Sequence, residues 1–213
     1  MLETGKQRVF ASAMDWPGWC RAGKKTPDAA MEELLTYRTR YNAVIRSVGI
    51  AEIPDPGDDL NVIETVMGDA TTDFGAPSIQ ARAEVKPLTG DELDRQLALL
   101  IACWRYLDNV GETVSPELRK GPRGGGRDRD KMLDHVYEAE RSYVRKLGVK
   151  SPKLAVNDVH ALETHRAKVE AALREQPGDD AADQRSWSPR YVIRRMAWHV
   201  LDHAWEMEDK DMT

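Results

Sequence analysis

The sequence predicts an α+β chain: a small N-terminal α/β (β-α-β) module over residues 1–75, a connector over 76–88, and an antiparallel four-helix bundle over 89–213. Three observations carry this reading. The first third alternates short strand-like runs with a break rich in Pro, Gly and Asp, residues 53–60. Beyond Pro87, four segments repeat apolar residues at helical spacing, most of them behind a capping signal. The loops joining them suit antiparallel neighbours.

In chain order, Lys6–Met14 reads as a strand because Val9, Ala11 and Ala13 alternate with polar or larger partners. The loop DWPGWCRAGKK follows, and its Trp16-Pro17-Gly18-Trp19 turn reads as a plug at a domain junction, since a pair of tryptophans is costly to leave in water. Thr26-Pro27 then starts one helix, with Ala30, Leu34, Tyr37, Tyr41 and Val44 or Ile45 recurring at helical spacing. Asn61–Val66 reads as a second strand. Residues 71–87 carry two prolines and no clear period, as a connector would.

The first bundle helix opens on a capping box, Thr89 and Glu92, and runs through Leu93, Leu97, Leu100, Ile101 and Trp104 to about Asn109, with Gly111 ending it. A Gly/Arg-rich loop leads into the second helix, where Met132, Val136, Ala139 and Tyr143 make an apolar arc. Ser151-Pro152 reads as the start of the third, whose His160 and His165, five residues apart, point in different directions and read as surface residues. The fourth starts at Ser188 as N-cap with Pro189 in the first turn, where its missing N–H costs nothing. Val192, Ile193, Met196, Val200, Ala204 and Met207 form one apolar arc, while Tyr191, Trp198 and Trp205 form a second stripe roughly opposite. Such a helix has little solvated face and must be gripped from two sides.

Composition bounds the function. The chain has 213 residues, 41% hydrophobic and 31% charged, enough for one large or two small cores. No apolar run is long enough to span a bilayer and the N-terminus lacks a signal-peptide core, so a cytoplasmic location without membrane association is expected. A net charge of −5 argues against nucleic-acid binding. Cys20 and Cys103 fall in no CxxC or Cys/His spacing and read as reduced, structural thiols.

Among five histidines, His199 and His203 sit at i,i+4 on the margin of the fourth helix's apolar arc, so both rings can point a nitrogen at one cation. His135 lies at the edge of the corresponding arc on the second helix and can meet them from the facing side. Glu206, Glu138 and Asp202 are candidates for a base or for a carboxylate that fixes a histidine tautomer, and Glu140, near an apolar arc, calls for a cationic or metal-linked partner. Arg123 and Arg127 in the Gly/Arg loop are candidates to hold a carboxylate or phosphate.

A histidine on helix two, His-x-x-x-His on helix four and a bundle over residues 89–213 resemble the DinB-like metal-binding superfamily, which includes mycothiol-dependent maleylpyruvate isomerases and thiol S-transferases. The resemblance implies a divalent metal, zinc or nickel, held by His135, His199 and His203, and a low-molecular-weight thiol as cofactor. It also implies a thiol S-transferase, isomerase or hydrolase that uses a metal-activated thiolate or water on a small, anionic substrate. The extra N-terminal segment and the Gly/Arg loop depart from that pattern. The DWPGW loop, Thr26-Pro27 and the helix after them resemble, more loosely, the small HicB-like antitoxin fold. A different class stays open beside the enzyme: a non-catalytic metal-binding bundle whose N-terminal module mediates partner binding or homodimer formation.

Overall fold

The structure is a computed structural model that describes residues 1–23, 25–57, 60–121, 125–175 and 187–212. It is a mixed α/β fold with a four-stranded sheet built by the N-terminal residues and helices over most of the remainder. The strands are β1 (Leu2–Thr4), β2 (Val9–Ser12), β3 (Cys20–Gly23) and β4 (Thr65–Met67), in the order β3-β2-β1-β4. β4 runs parallel to β1, with Leu2 opposite Thr65, and the other pairs are antiparallel.

Two of these strands lie outside the sequence expectation. β1 precedes the expected first strand and β3 falls in what reads as loop. Both are short, and what fixes them is pairing: Leu2 faces Ala11 and Cys20 faces Ser12 across β2. The second expected strand is present but displaced toward its C-terminal end, as β4.

Alternation along β2 sends Val9 and Ala11 to one face and Phe10 and Ser12 to the other. Helix α1 (Pro27–Thr36) packs on β2 and β3, while Phe10 meets Trp198 edge-on at 6.0 Å on the opposite face. Residues 27–46 form two helices, α1 and α2 (Arg38–Arg46), where the sequence reads as one. The break has a tertiary cause. The Leu34 carbonyl accepts Trp19 Nε1–H at 2.7 Å and the Tyr37 backbone N–H, so the chain turns at Tyr37. The turn at Trp16–Trp19 is buried as a plug: Trp19 stacks on Tyr41, and the Tyr41 hydroxyl donates to the Pro17 carbonyl at 2.8 Å. Gly18, at φ +98°, faces Leu201 and Cys103 where a side chain would not fit.

A short helix α3 (Ala70–Phe74) and a 3₁₀ turn at Arg82–Val85 lie within the expected connector region. Helix α4 (Gly90–Thr113) opens on the Thr89/Glu92 capping box as expected but continues past Gly111, because a bare glycine there admits Leu133 of helix α5 (Arg129–Val144). Helix α6 (Val159–Arg174) is capped by Asp158, which accepts the Ala161 N–H at 2.9 Å, and not by Ser151. Helix α7 (Pro189–Lys210) is capped by Ser188, as read.

α7 packs along α4 and α5, and α4 against α5. α6 is tied to α4 through Arg166 and Arg174, which pair with Asp108 and Asp94. One apolar core runs from Leu2 and Val9 through Leu100 and Leu107 to Met196 and Leu201. Its position sets the role of α7, which carries the sheet on one side and α4 and α5 on the other. Among the described residues, no helix is long and apolar enough to cross a membrane.

Candidate metal centre

α7 delivers His199 and His203 from successive turns, and α5 delivers His135 to the same place. The three rings form a nearly equilateral triangle: centroids lie 5.0 Å apart for His135–His199, 4.9 Å for His135–His203 and 4.5 Å for His199–His203. One donor atom from each falls within 4.8 Å of the others. Zn–N bonds of about 2.0–2.1 Å place nitrogen pairs about 3.4 Å apart, so modest ring rotations bring these donors to bonding distance.

The electrostatics favour ligands over charged side chains. Burial, then the charges of His203 and Arg127, pushes the His135 pKa down to about 4. Burial, then His203 and His135, holds His199 well below the usual imidazole range. Both rings are therefore neutral at pH 7 and keep a lone pair. His203 is oriented by Glu206, whose Oε2 lies 2.9 Å from Nδ1. The hydrogen bond from His203 comes first, and with help from Lys210 it brings the Glu206 pKa down to about 2. An ionised carboxylate only accepts, so His203 donates from Nδ1 and turns Nε2 free as a ligand atom. Nδ1 of the buried His199 has no hydrogen-bond partner among the described residues. An orphaned imidazole nitrogen on a member of a three-histidine cluster fits a cation, and three histidines with a carboxylate behind one of them suit zinc or nickel.

The other expected site residues fall in different places. Glu206 belongs to the cluster through His203, but Glu138 gives both carboxylate oxygens to Arg141 at 2.7 Å. Asp202 is held by Arg21 at 2.7 Å. Arg127 is exposed, with its charge felt at His135 and His199. Arg123 lies outside the described residues.

Glu140 and His165 need correction. His165 is not a surface residue: it is 2% exposed, with Nδ1 2.8 Å from the Ser151 hydroxyl. Glu140 is fully buried, and its direct partner is an indole: Trp104 Nε1–H donates at 2.8 Å. Its second oxygen lies 4.0 Å from His165 Nε2, and neither atom has a hydrogen-bond partner among the described residues. Burial raises Glu140 to about 7, against the opposing pull of Arg166 and the indole, and lowers His165 to about 4. Cys20 and Cys103 are free, buried thiols, as expected.

Sequence reading missed Arg195, one turn before His199. Its guanidinium lies over Trp198 and Tyr143, at 4.6 and 5.3 Å from the ring centroids, and both rings also touch His199. The signal was available: a helix with little solvated face must bury one or both of Arg194 and Arg195. An apolar groove of about 290 Å³ lies elsewhere, between the sheet and α1, lined by Met1, Ala11, Trp19, Leu34 and Ile63 among others and by none of the three histidines.

A tri-histidine cluster shared by two packed helices, buried at His199 and half-buried at His135 and His203, defines a candidate metal-binding protein. Comparison with protein-family models, curated proteins and solved structures finds no match to this chain.

Proposed function

We propose that His135, His199 and His203 hold a divalent metal, zinc or nickel, in a four-helix bundle of the DinB-like kind formed by α4, α5, α6 and α7, and that the protein is a metal-dependent enzyme acting on a small anionic substrate. The observation that carries this reading is the convergence of three imidazole donors from two helices within 4.8 Å. A bound divalent cation supplies Lewis acidity, which makes water or a small thiol nucleophilic at neutral pH. Thiol S-transfer, isomerisation and hydrolysis all draw on that chemistry.

The chain's own residues prepare the site. Glu206 fixes the tautomer of His203, and Lys210, bound to the same carboxylate, holds Glu206 in place. Arg21 ties Asp202 down, so the carboxylate between the two ligand histidines in sequence is occupied elsewhere. Burial of His135 and His199 excludes protons that would compete with a cation. Arg127 adds positive potential over the cluster, which attracts an anion.

A non-catalytic role draws support from a different place. Val62, Ile63, Met67, Phe74 and Val85 are large apolar residues left exposed along and near the β4 edge, as an interaction module or a homodimer contact would require.

The deciding measurement is elemental analysis of protein purified without a His-tag, beside the variant carrying His135→Ala, His199→Ala and His203→Ala. One equivalent of zinc or nickel in the wild type and none in the variant is expected. Equal metal in both sinks the assignment. Turnover of thiol and electrophile mixtures, with melting followed on chelation, then separates an enzyme from a structural metal.

A further inference from the structure

α7 carries two consecutive arginines with opposite fates. Arg194, 3% exposed, donates to Glu84 at 2.5 and 2.9 Å and to the Ile79 carbonyl at 2.9 Å, which leaves only its Nη1 without a partner among the described residues. Arg195, 7% exposed, makes no hydrogen bond or ion pair among the described residues, and its Nη1 is buried without an acceptor. A buried guanidinium nitrogen with no acceptor is destabilising, so a residue kept this way is expected to have a partner at some stage of its work.

Position says where that partner sits. Arg195 is one turn from His199, and helical neighbours at i,i+4 lie about 5–6 Å apart at Cβ. Tyr143 of α5 and Trp198 of α7 flank both side chains, with ring centroids 5.9 and 5.8 Å from that of His199. The guanidinium and the candidate metal ligand therefore share one aromatic wall. Trp198 Nε1 is a second buried donor with no acceptor among the described residues. The local excess is of donors, and what is missing is an acceptor.

We propose that Arg195 forms an anion subsite beside the histidine cluster, and that it takes the carboxylate of a small organic acid. This deepens the metal-centre reading and rests on it for the identity of the reacting end. A guanidinium fork matches the two oxygens of a carboxylate, and stacking on Tyr143 and Trp198 fixes the plane in which the fork is offered. The aromatic walls suit the carbon body of the same molecule. A carboxylate held here leaves the neighbouring part of the molecule over His199, where metal chemistry would act. The exposed loop residue Arg127 then attracts the anion, and Arg195 binds it.

The test uses the full chain with succinate as probe and succinamide as its uncharged counterpart, by calorimetric titration and by thermal melting, with and without chelator. Wild type is expected to bind succinate and to melt higher in its presence, and to ignore succinamide. Arg195→Met, which removes the unpaired charge, is expected to fold, to melt higher than wild type without ligand, and to bind succinate about 10- to 100-fold more weakly. Arg195→Lys keeps the charge without the fork and falls between them.

Equal succinate affinity in wild type and Arg195→Met overturns the subsite. So does failure of the wild type to bind succinate. The two readings fail separately. Loss of succinate binding in Arg195→Met with no metal in the wild type leaves the subsite and removes the centre; full metal with unchanged succinate binding does the reverse.

Discussion

One helix, α7, holds two kinds of polar interior. Toward the sheet, Arg194 and Glu84 close on each other, and nearby Glu3, fully buried in β1, accepts from the Thr72 hydroxyl and from the Ser78 and Ile79 backbone N–H groups. Beside His135, His199 Nδ1 and Arg195 Nη1 are buried with no hydrogen-bond partner among the described residues, and Arg195, unlike Arg194, has no carboxylate among them either. The first region spends its polar groups on holding the connector and sheet to the helix. The second leaves them without a hydrogen-bond partner among the described residues. The carboxylates Glu3 and Glu84, with both oxygens of each accepting from within the chain, are read as architecture.

The largest effect expected from testing that contrast is in the satisfied region. Glu84→Ala strands Arg194 in the interior and should lower unfolding free energy by about 3–5 kcal/mol, measured by urea denaturation. The triple His→Ala variant, which strands no charge, should lose far less in metal-free protein. If the triple variant proved the weaker of the two, the contrast would be broken.

Next is Glu140, which belongs to neither class: one oxygen is satisfied by Trp104 and the other faces His165 unpaired. Its carboxyl is raised to about 7 in the fold from an ordinary value of 4.5, so folding disfavours the ionised form. The penalty is absent below about pH 4.5, grows as pH rises and is complete above about pH 7, where it is on the order of 3 kcal/mol. Glu140→Gln still accepts from Trp104 and never ionises. Its stability should match wild type at pH 4.5 and exceed it by that amount at pH 8; parallel pH curves would refute the assignment. His165, lowered to about 4, acts with the opposite sign. Its neutral form contributes fully above about pH 6.5, and that contribution is lost as pH falls toward 4. With Glu140 replaced, the remaining acid loss becomes visible.

Smaller still is the effect of Glu206→Gln, which weakens the tautomer lock on His203 and should reduce zinc affinity about 10- to 100-fold by competition with a chromogenic chelator, without changing the melting of metal-free protein by more than a few degrees. The smallest is Thr89→Ala at the α4 capping box. A loss of about 1 kcal/mol is expected, with zinc affinity unchanged, because that cap is remote from the cluster.

The sequence made α7 legible because Ser188 and Pro189 announce its start and because apolar residues on two sides require burial on two sides. His135, His199 and His203 were legible for the same reason: their helical phase puts each at the edge of an apolar arc. What escaped depends on partners distant in sequence. The break at Tyr37 comes from Trp19 taking the Leu34 carbonyl, and β1 and β3 exist through pairing with β2. His165 is buried because Ser151 and Glu140 meet it from other segments, which helical phase within α6 does not reveal. Arg195 escaped because two adjacent arginines read as one polar pair, whereas among the described residues a carboxylate meets Arg194 alone.

The shared position of α7 has one more consequence. Phe10 and Arg21 on the strands grip Trp198 and Asp202, the residues flanking the two histidines in sequence. Any cation gripped by His199 and His203 would also tighten the seating of the strands on this helix, and by reciprocity whatever loosens the strands would release the cation.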